Sequence, residues 1–269
     1  MRDAVKDAFV LVRLHINPPY WWLRDNPDEC VVYRTKDRDI NGTDDGEQDR
    51  LIRNDAEQMM RVSLASKKWI NDACEKLSEL LDKIKLWPEY DMLLGVQIAG
   101  GIYGEWHQWG TDVSKPMQDF FKKYLSHKYK TVDALRAAWQ NNSVDFENAE
   151  FRPEMFRSGD DGLFRNPAVS QNTIDSQEAI MKSTTDAILR FCRVAKEKMP
   201  DKIVGTFYGY YFGVGGDKTT IGGHLMPELI YEASDVIDFM CGPFCYLKNR
   251  HADAVSRAEL YTIAFMQVI

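Results

Sequence analysis

Apolar residues along this chain come in two textures: short, mainly apolar runs, and long stretches with an apolar side chain every third or fourth position. Phe9-Val-Leu-Val-Arg-Leu-His-Ile16 is a run of the first kind, and Asn17-Pro18-Pro19 closes it. Prolines end a ladder and shape a loop, so this segment predicts a strand. Over residues 54–84 the apolar positions Met59, Val62, Trp69, Ile70, Leu77, Leu81 and Ile84 recur at helical spacing, which predicts a long helix or a helix pair. Residues 92–99 form a second strand-like run. Ser114 with Pro116, and Thr131 with Asp133, mark the starts of two short helices over 114–127 and 131–140. Residues 141–166 are rich in Asn, Asp, Gly and Pro and predict a long loop over one end of the fold. Residues 170–199 are again helical by spacing and stop at Pro200, strands follow at 203–208 and 236–241, and 252–269 is an amphipathic helix.

Strands separated by helical crossovers imply a parallel sheet with right-handed connections. Aromatic, polar and glycine residues cluster after each strand, at 19–22, 105–109, 207–212 and 242–246, the end at which a (β/α)₈ barrel displays its functional groups. A doubly wound sheet would carry a glycine-rich phosphate loop after its first strand. Gly213-Val-Gly-Gly216 follows aromatics and precedes a charged loop, and reads as a flexible loop instead. The expected fold class is therefore α/β, of the (β/α)₈ TIM-barrel type. Four strands fall short of a closed barrel, the chain starts at the tail of a helix and ends inside one. Residues 1–269 are thus expected to be one partial catalytic barrel, about strands 3 to 6 with their helices, truncated at both ends, inactive and poorly stable in isolation because strand edges are exposed.

Composition narrows the chemistry. A net charge of −7 and a pI near 5.3 argue against a nucleic-acid partner, which needs a basic face to displace counterions. No apolar run approaches the roughly 18 residues of a membrane span, and the first residues lack the hydrophobic core of a signal peptide. Neither a membrane partner nor a particular compartment is implied, so cytoplasmic, periplasmic and secreted locations stay open. Cys30, Cys74, Cys192, Cys241 and Cys245 show no ligand spacing, so no metal and no other cofactor is expected. No Gly-x-Ser-x-Gly elbow surrounds Ser63, Ser66 or Ser170, which leaves an esterase reading without support.

The candidate chemistry lies where the run 92–99 passes through Gly100-Gly-Ile-Tyr-Gly104 into Glu105-Trp-His-Gln-Trp-Gly110. A carboxyl among indoles is poorly solvated, so its neutral form is favoured and it becomes a candidate general acid. The competing reading is a surface Glu at a strand end beside core tryptophans. Trp21 and Trp106 offer flat apolar faces to a pyranose ring, with at least one tryptophan of this region serving only as core. His15, Asn17, His107, Tyr208, Tyr210 and Tyr246 stand at strand ends and complete the set of candidate sugar-binding side chains.

Val10-Leu-Val-Arg-Leu-His-Ile-Asn-Pro-Pro-Tyr-Trp-Trp-Leu-Arg-Asp-Asn-Pro-Asp-Glu29 resembles the third-strand segment of the glycoside hydrolase family 42 β-galactosidases, in which a strand leads into Pro-Pro-x-Trp-Leu. Phe120-Phe-Lys-Lys-Tyr-Leu-Ser-His-Lys-Tyr-Lys-Thr-Val-Asp-Ala-Leu-Arg-Ala-Ala-Trp139 is similar to that family's stretch after the acid/base strand, and Pro243, Tyr246 and Arg250 to its sixth-strand pattern. The resemblance implies a retaining exo-glycosidase acting on β-galactosides. It also implies an acid/base Glu after strand four, a nucleophilic Glu after strand seven, and a homo-oligomer of the full-length protein. Carried onto this sequence, the acid/base role falls on Glu105, with the nucleophile beyond Ile269. Two departures stand out. Gly104 precedes Glu105 where the family has Asn, and an alignment on Gln97 puts Gly101 at the Glu position. The alternative from another class is a catalytically inactive barrel that binds carbohydrate.

Overall fold

In the computed structural model, residues 8–32, 61–101, 104–107, 112–151, 165–208 and 223–242 are described. Within them strands and helices alternate: β1 (Val10–His15), α1 (Tyr20–Asp25), α2 (Lys67–Ile84), β2 (Leu93–Ala99), α3 (Lys115–Tyr129), α4 (Val132–Trp139), α5 (Pro167–Lys198), β3 (Ile203–Phe207), α6 (Pro227–Tyr231) and β4 (Phe239–Cys241). The strands pair in parallel in the order β1-β2-β3-β4. Spatial order follows chain order with no reversal, as it does around a barrel and does not across a doubly wound sheet.

Register explains why the two faces differ. Arg13, Gln97, Gly205 and Phe239 lie side by side across the four strands, and so do Val12, Val96 and Val204 across the first three. Because side chains alternate along a strand, the valine row and its neighbours Leu14, Ile98 and Met240 share the other face. That face is covered by α2 and α5, whose Trp69 and Phe191 meet edge to face at 5.1 Å beside Leu77, Leu81, Ile188 and Ala195. Gly95 permits the strand spacing, since a Cβ there would lie 2.0 Å from the Ile203 carbonyl oxygen. A second core joins α3, α4 and the first half of α5 through Met117, Phe121, Leu125, Leu135 and Ile180. Lys196 and Asp238 then clasp α5 to the start of β4 at 2.8 Å, while Asp238 also accepts the Val204 amide at 2.7 Å.

Local sequence sets the helix starts. Ser66 accepts the Trp69 amide at 3.0 Å, Thr131 that of Ala134 at 3.2 Å, and Asn166 that of Ala168 at 3.0 Å, each satisfying a donor that the first helical turn leaves unpaired. The structure corrects the expected helix over 54–84. Within the described residues, which leave out 54–60, the helix begins at Lys67, because residues 61–63 are extended against 29–31, with Val31 donating to the Arg61 carbonyl at 2.8 Å and Ser63 to that of Glu29 at 2.9 Å. α5 begins at Pro167, earlier than its spacing implied, and kinks at Ser170. β4 is shorter than 236–241 because residues 233–237 turn, with Ile237 donating to the Ala233 carbonyl at 3.0 Å. The expected helix at 252–269 lies outside the described residues.

Candidate functional site

β2 hands the chain to a turn of unusual conformation. Gly101 (φ 65°), Gly104 (φ 72°) and Trp106 (φ 59°) are all left-handed, so Glu105 is held between two such residues. Glycine takes this region freely, whereas tryptophan does so at a cost of roughly 1–2 kcal/mol. Core packing offsets that cost. The Trp106 indole is fully buried, stacks on Phe191 at 6.1 Å and donates from Nε1 to the Ile98 carbonyl at 3.2 Å, while its amide donates to the Gly100 carbonyl at 2.8 Å. Strain of this kind, kept by surrounding structure, is characteristic of functional turns.

β1 steadies the turn from the side. Arg13 Nη2 donates to the Gly104 carbonyl at 2.9 Å, and Asn17 Nδ2 to that of Gly101 at 2.9 Å. The His15 imidazole lies against Gly104 so closely that a Cβ there would stand 2.5 Å from His15 Cε1 and 2.9 Å from Arg13 Nη2. Burial, and then the Arg13 charge, lower the His15 pKa, which keeps the ring neutral at pH 7. Gly104→Ala therefore combines an unfavourable φ with a collision. It is expected to destabilise the fold by about 1–3 kcal/mol and to misdirect Glu105, which a thermal melt alongside a rate measurement checks.

The Glu105 side chain is 19% exposed, and its Oε2 is 3.2 Å from His107 Nε2. The buried His107 ring stacks on His224 (5.1 Å between centroids, 21° between planes), and His224 lies parallel on Tyr208 (4.7 Å, 1°). Tyr208 follows β3, donates its amide to the Cys241 carbonyl at 2.9 Å, and accepts the Met226 amide on its hydroxyl at 2.9 Å. A column of rings thus joins β3 and the loop before α6 to the Glu105 turn.

Burial first, and the His107 charge second, push His224 down to about 3, against hydrogen bonding with the Glu105 and Trp106 backbone. The folded state consequently refuses a proton that the unfolded chain accepts below about 6.5. Stability is complete above that pH and is lost progressively as pH falls toward about 3. Acid titration of the denaturation midpoint is expected to show this loss, and His224→Phe, which keeps the ring stack, is expected to reduce it.

The structure brings Glu105, His107, Tyr208, His15 and Asn17 into one neighbourhood, and it adds Arg13, which the sequence reading passed over. Trp106 is a correction. Its indole belongs to the core and offers no open face to a sugar, because the left-handed backbone turns it inward onto Phe191. Trp21 is 58% exposed and lines a cleft of about 290 Å³ with Trp22, Trp69 and Leu80, beside the end of β1. His15 and Asn17 border that cleft as well as the Glu105 turn. Tyr210 and Tyr246 lie outside the described residues. Among the described residues no group of three or more His, Cys, Asp or Glu side chains is arranged to hold a metal, and no helix is long and apolar enough to cross a membrane.

Comparison with solved structures bears on the fold. The chain is similar to a β-galactosidase from Marinomonas ef1 (14% identity, TM-score 0.57, 87% of this chain and 30% of that one). It is also similar to a β-galactosidase from Bacillus circulans sp. alkalophilus (17%, 0.55, 91% and 32%). A third similar structure is the catalytic domain of a beta-amylase from Paenibacillus polymyxa (12%, 0.61, 89% and 62%). The fold is therefore the parallel α/β arrangement of the (β/α)₈ glycosidases. The chain spans about a third of the length of the β-galactosidases it matches. No known family profile matches the sequence, and no curated protein matches it.

Proposed function

We propose that the protein is a glycoside hydrolase that cleaves O-glycosidic bonds, with β-galactosides as the first substrate class and Glu105 as general acid/base. The observation that carries this reading is the turn itself. A carboxylate sits at the C-terminal end of a parallel strand, between left-handed residues, with an imidazole nitrogen 3.2 Å from Oε2. In a glycosidase-like barrel this is where catalytic groups are displayed. Glu105 would protonate the leaving oxygen and then take a proton from the incoming water. Retention needs a second carboxylate about 5 Å away to attack the anomeric carbon, and residues outside those described would supply it. His15 and Asn17 at the edge of the turn, and Trp21 across the cleft, would contact the nonreducing sugar; Tyr210 and Tyr246 remain candidates for its hydroxyls. The family 42 resemblance of residues 10–29 and 120–139 supports β-galactosides in particular.

The beta-amylase domain, of which this chain covers 62%, favours a second reading as an amylase-like glycosidase. The test is hydrolysis by the full-length protein of aryl β-galactoside, a set of other aryl glycosides, and starch. Turnover of the galactoside supports the first reading and turnover of starch alone the second. Binding of a sugar by calorimetry without turnover of any glycoside would contradict both and point to a carbohydrate-binding barrel.

A further inference from the structure

We infer that His107 is a positioning residue for Glu105, held in place by a column of stacked rings that begins just after β3. The inference rests on Glu105 being the acid/base and adds what keeps that carboxyl aimed. A side chain that must protonate an oxygen in one step and receive a proton from water in the next has to keep one orientation through both. A displacement of ~1 Å is enough to cost on the order of 100-fold in rate. Glu has three rotatable bonds, so the backbone turn alone does not fix its oxygens. His107 does, through the Nε2 contact at 3.2 Å.

His107 is in turn immobile for reasons visible in its surroundings. Its side chain is 3% exposed and packs face to face on the fully buried His224, which packs face to face on Tyr208. Tyr208 is pinned at both ends, by its amide to Cys241 on β4 and by its hydroxyl to the Met226 amide. Four separate stretches of chain, at β3, β4, 223–226 and 104–107, thus converge on one carboxylate oxygen. A histidine that merely filled core volume would need the stack but not the Oε2 contact.

The experiment separates those two roles. His107→Phe keeps ring and stack and removes the hydrogen bond, whereas His107→Gln keeps a donor and loses the ring. Each is assayed in the full-length protein on 4-nitrophenyl β-galactoside, whose leaving group departs without protonation, and on lactose, whose leaving sugar needs it. With His107→Phe, kcat/KM on lactose, which reports the step that needs the acid, is expected to fall by about 100-fold, kcat/KM on the nitrophenyl substrate to fall by less than about tenfold, and His107→Gln to recover part of the lactose value. Wild-type kcat/KM on lactose in His107→Phe would overturn the inference, and so would equal losses of kcat/KM on both substrates or loss of the cooperative melt in both variants. Glu105→Gln run in parallel keeps the two claims apart. If it retains lactose turnover, the acid/base assignment itself has failed; if it is inactive while His107→Phe is not, only the positioning role has.

Discussion

Replacing Glu105 with Gln is expected to slow hydrolysis of glycosides with poor leaving groups by roughly 10²- to 10⁴-fold, the usual contribution of a positioned general acid. The amide is close to isosteric, so it preserves packing and can still meet His107, but it has no proton to give to the leaving oxygen and no basic oxygen to activate water. The loss should depend on the leaving group. With a nitrophenol the bond breaks without protonation, so the first step is nearly spared while the water-dependent second step is slowed, and a burst of nitrophenol followed by a slow phase is the expected trace. Substrate affinity should change little. A uniform loss of kcat/KM across leaving groups would mean that the substitution had disturbed binding instead of proton transfer.

The second large effect is expected far from the site. Asp175 on α5 is fully buried and accepts hydrogen bonds from Lys128 Nζ at 2.8 Å, Tyr129 Oη at 2.8 Å, Trp139 Nε1 at 2.6 Å and Gln171 Nε2 at 2.9 Å. One carboxylate therefore ties α3, α4 and α5 together. Burial works against the charge on Lys128, but its hydrogen bonds to Asp175 and Glu178 outweigh burial and its pKa is raised. Burial and the bond to Asp175 likewise raise Tyr129. Asp175→Ala removes the acceptor and leaves several buried donors and a half-buried ammonium without it, at an expected cost of about 3–5 kcal/mol. Urea denaturation should show a lower midpoint at an unchanged slope, and a change below about 1 kcal/mol would contradict the account of how these helices are joined.

What the sequence made legible follows from which interactions are local. Strand positions were visible because Val96, Ile98 and Val204 sit in short, mainly apolar runs, as parallel strands buried on one or both faces do. Helix starts at Ser114 and Thr131 were visible because a cap needs only its own side chain and an amide three residues on. α1 was not, since six helical residues after two prolines give too short a period to detect; it survives by burying Trp22 and Leu23. The start of α2 was misplaced because the extended pairing of 61–63 with 29–31 is a long-range contact.

The site divides along the same line. Glu105 stood out because its glycine-rich, aromatic neighbourhood is contiguous in sequence. The fate of Trp106 was hidden, because nothing in residue order says that its φ of 59° turns the indole into the core. His224 is 117 positions from His107 and meets it only once β3 and β2 are side by side. Arg13 was passed over because its place at the Gly104 carbonyl depends on the β1–β2 register.

The central claim is that Glu105 gives and takes the proton in glycoside cleavage, and azide rescue tests it most directly. Glu105→Ala is incubated in the full-length protein with 4-nitrophenyl β-galactoside, with and without sodium azide, and the products are followed. The account predicts a slow variant whose turnover azide restores, with formation of the β-galactosyl azide, because azide needs no general base and occupies the space the carboxylate left. Full activity of the variant without azide would contradict it.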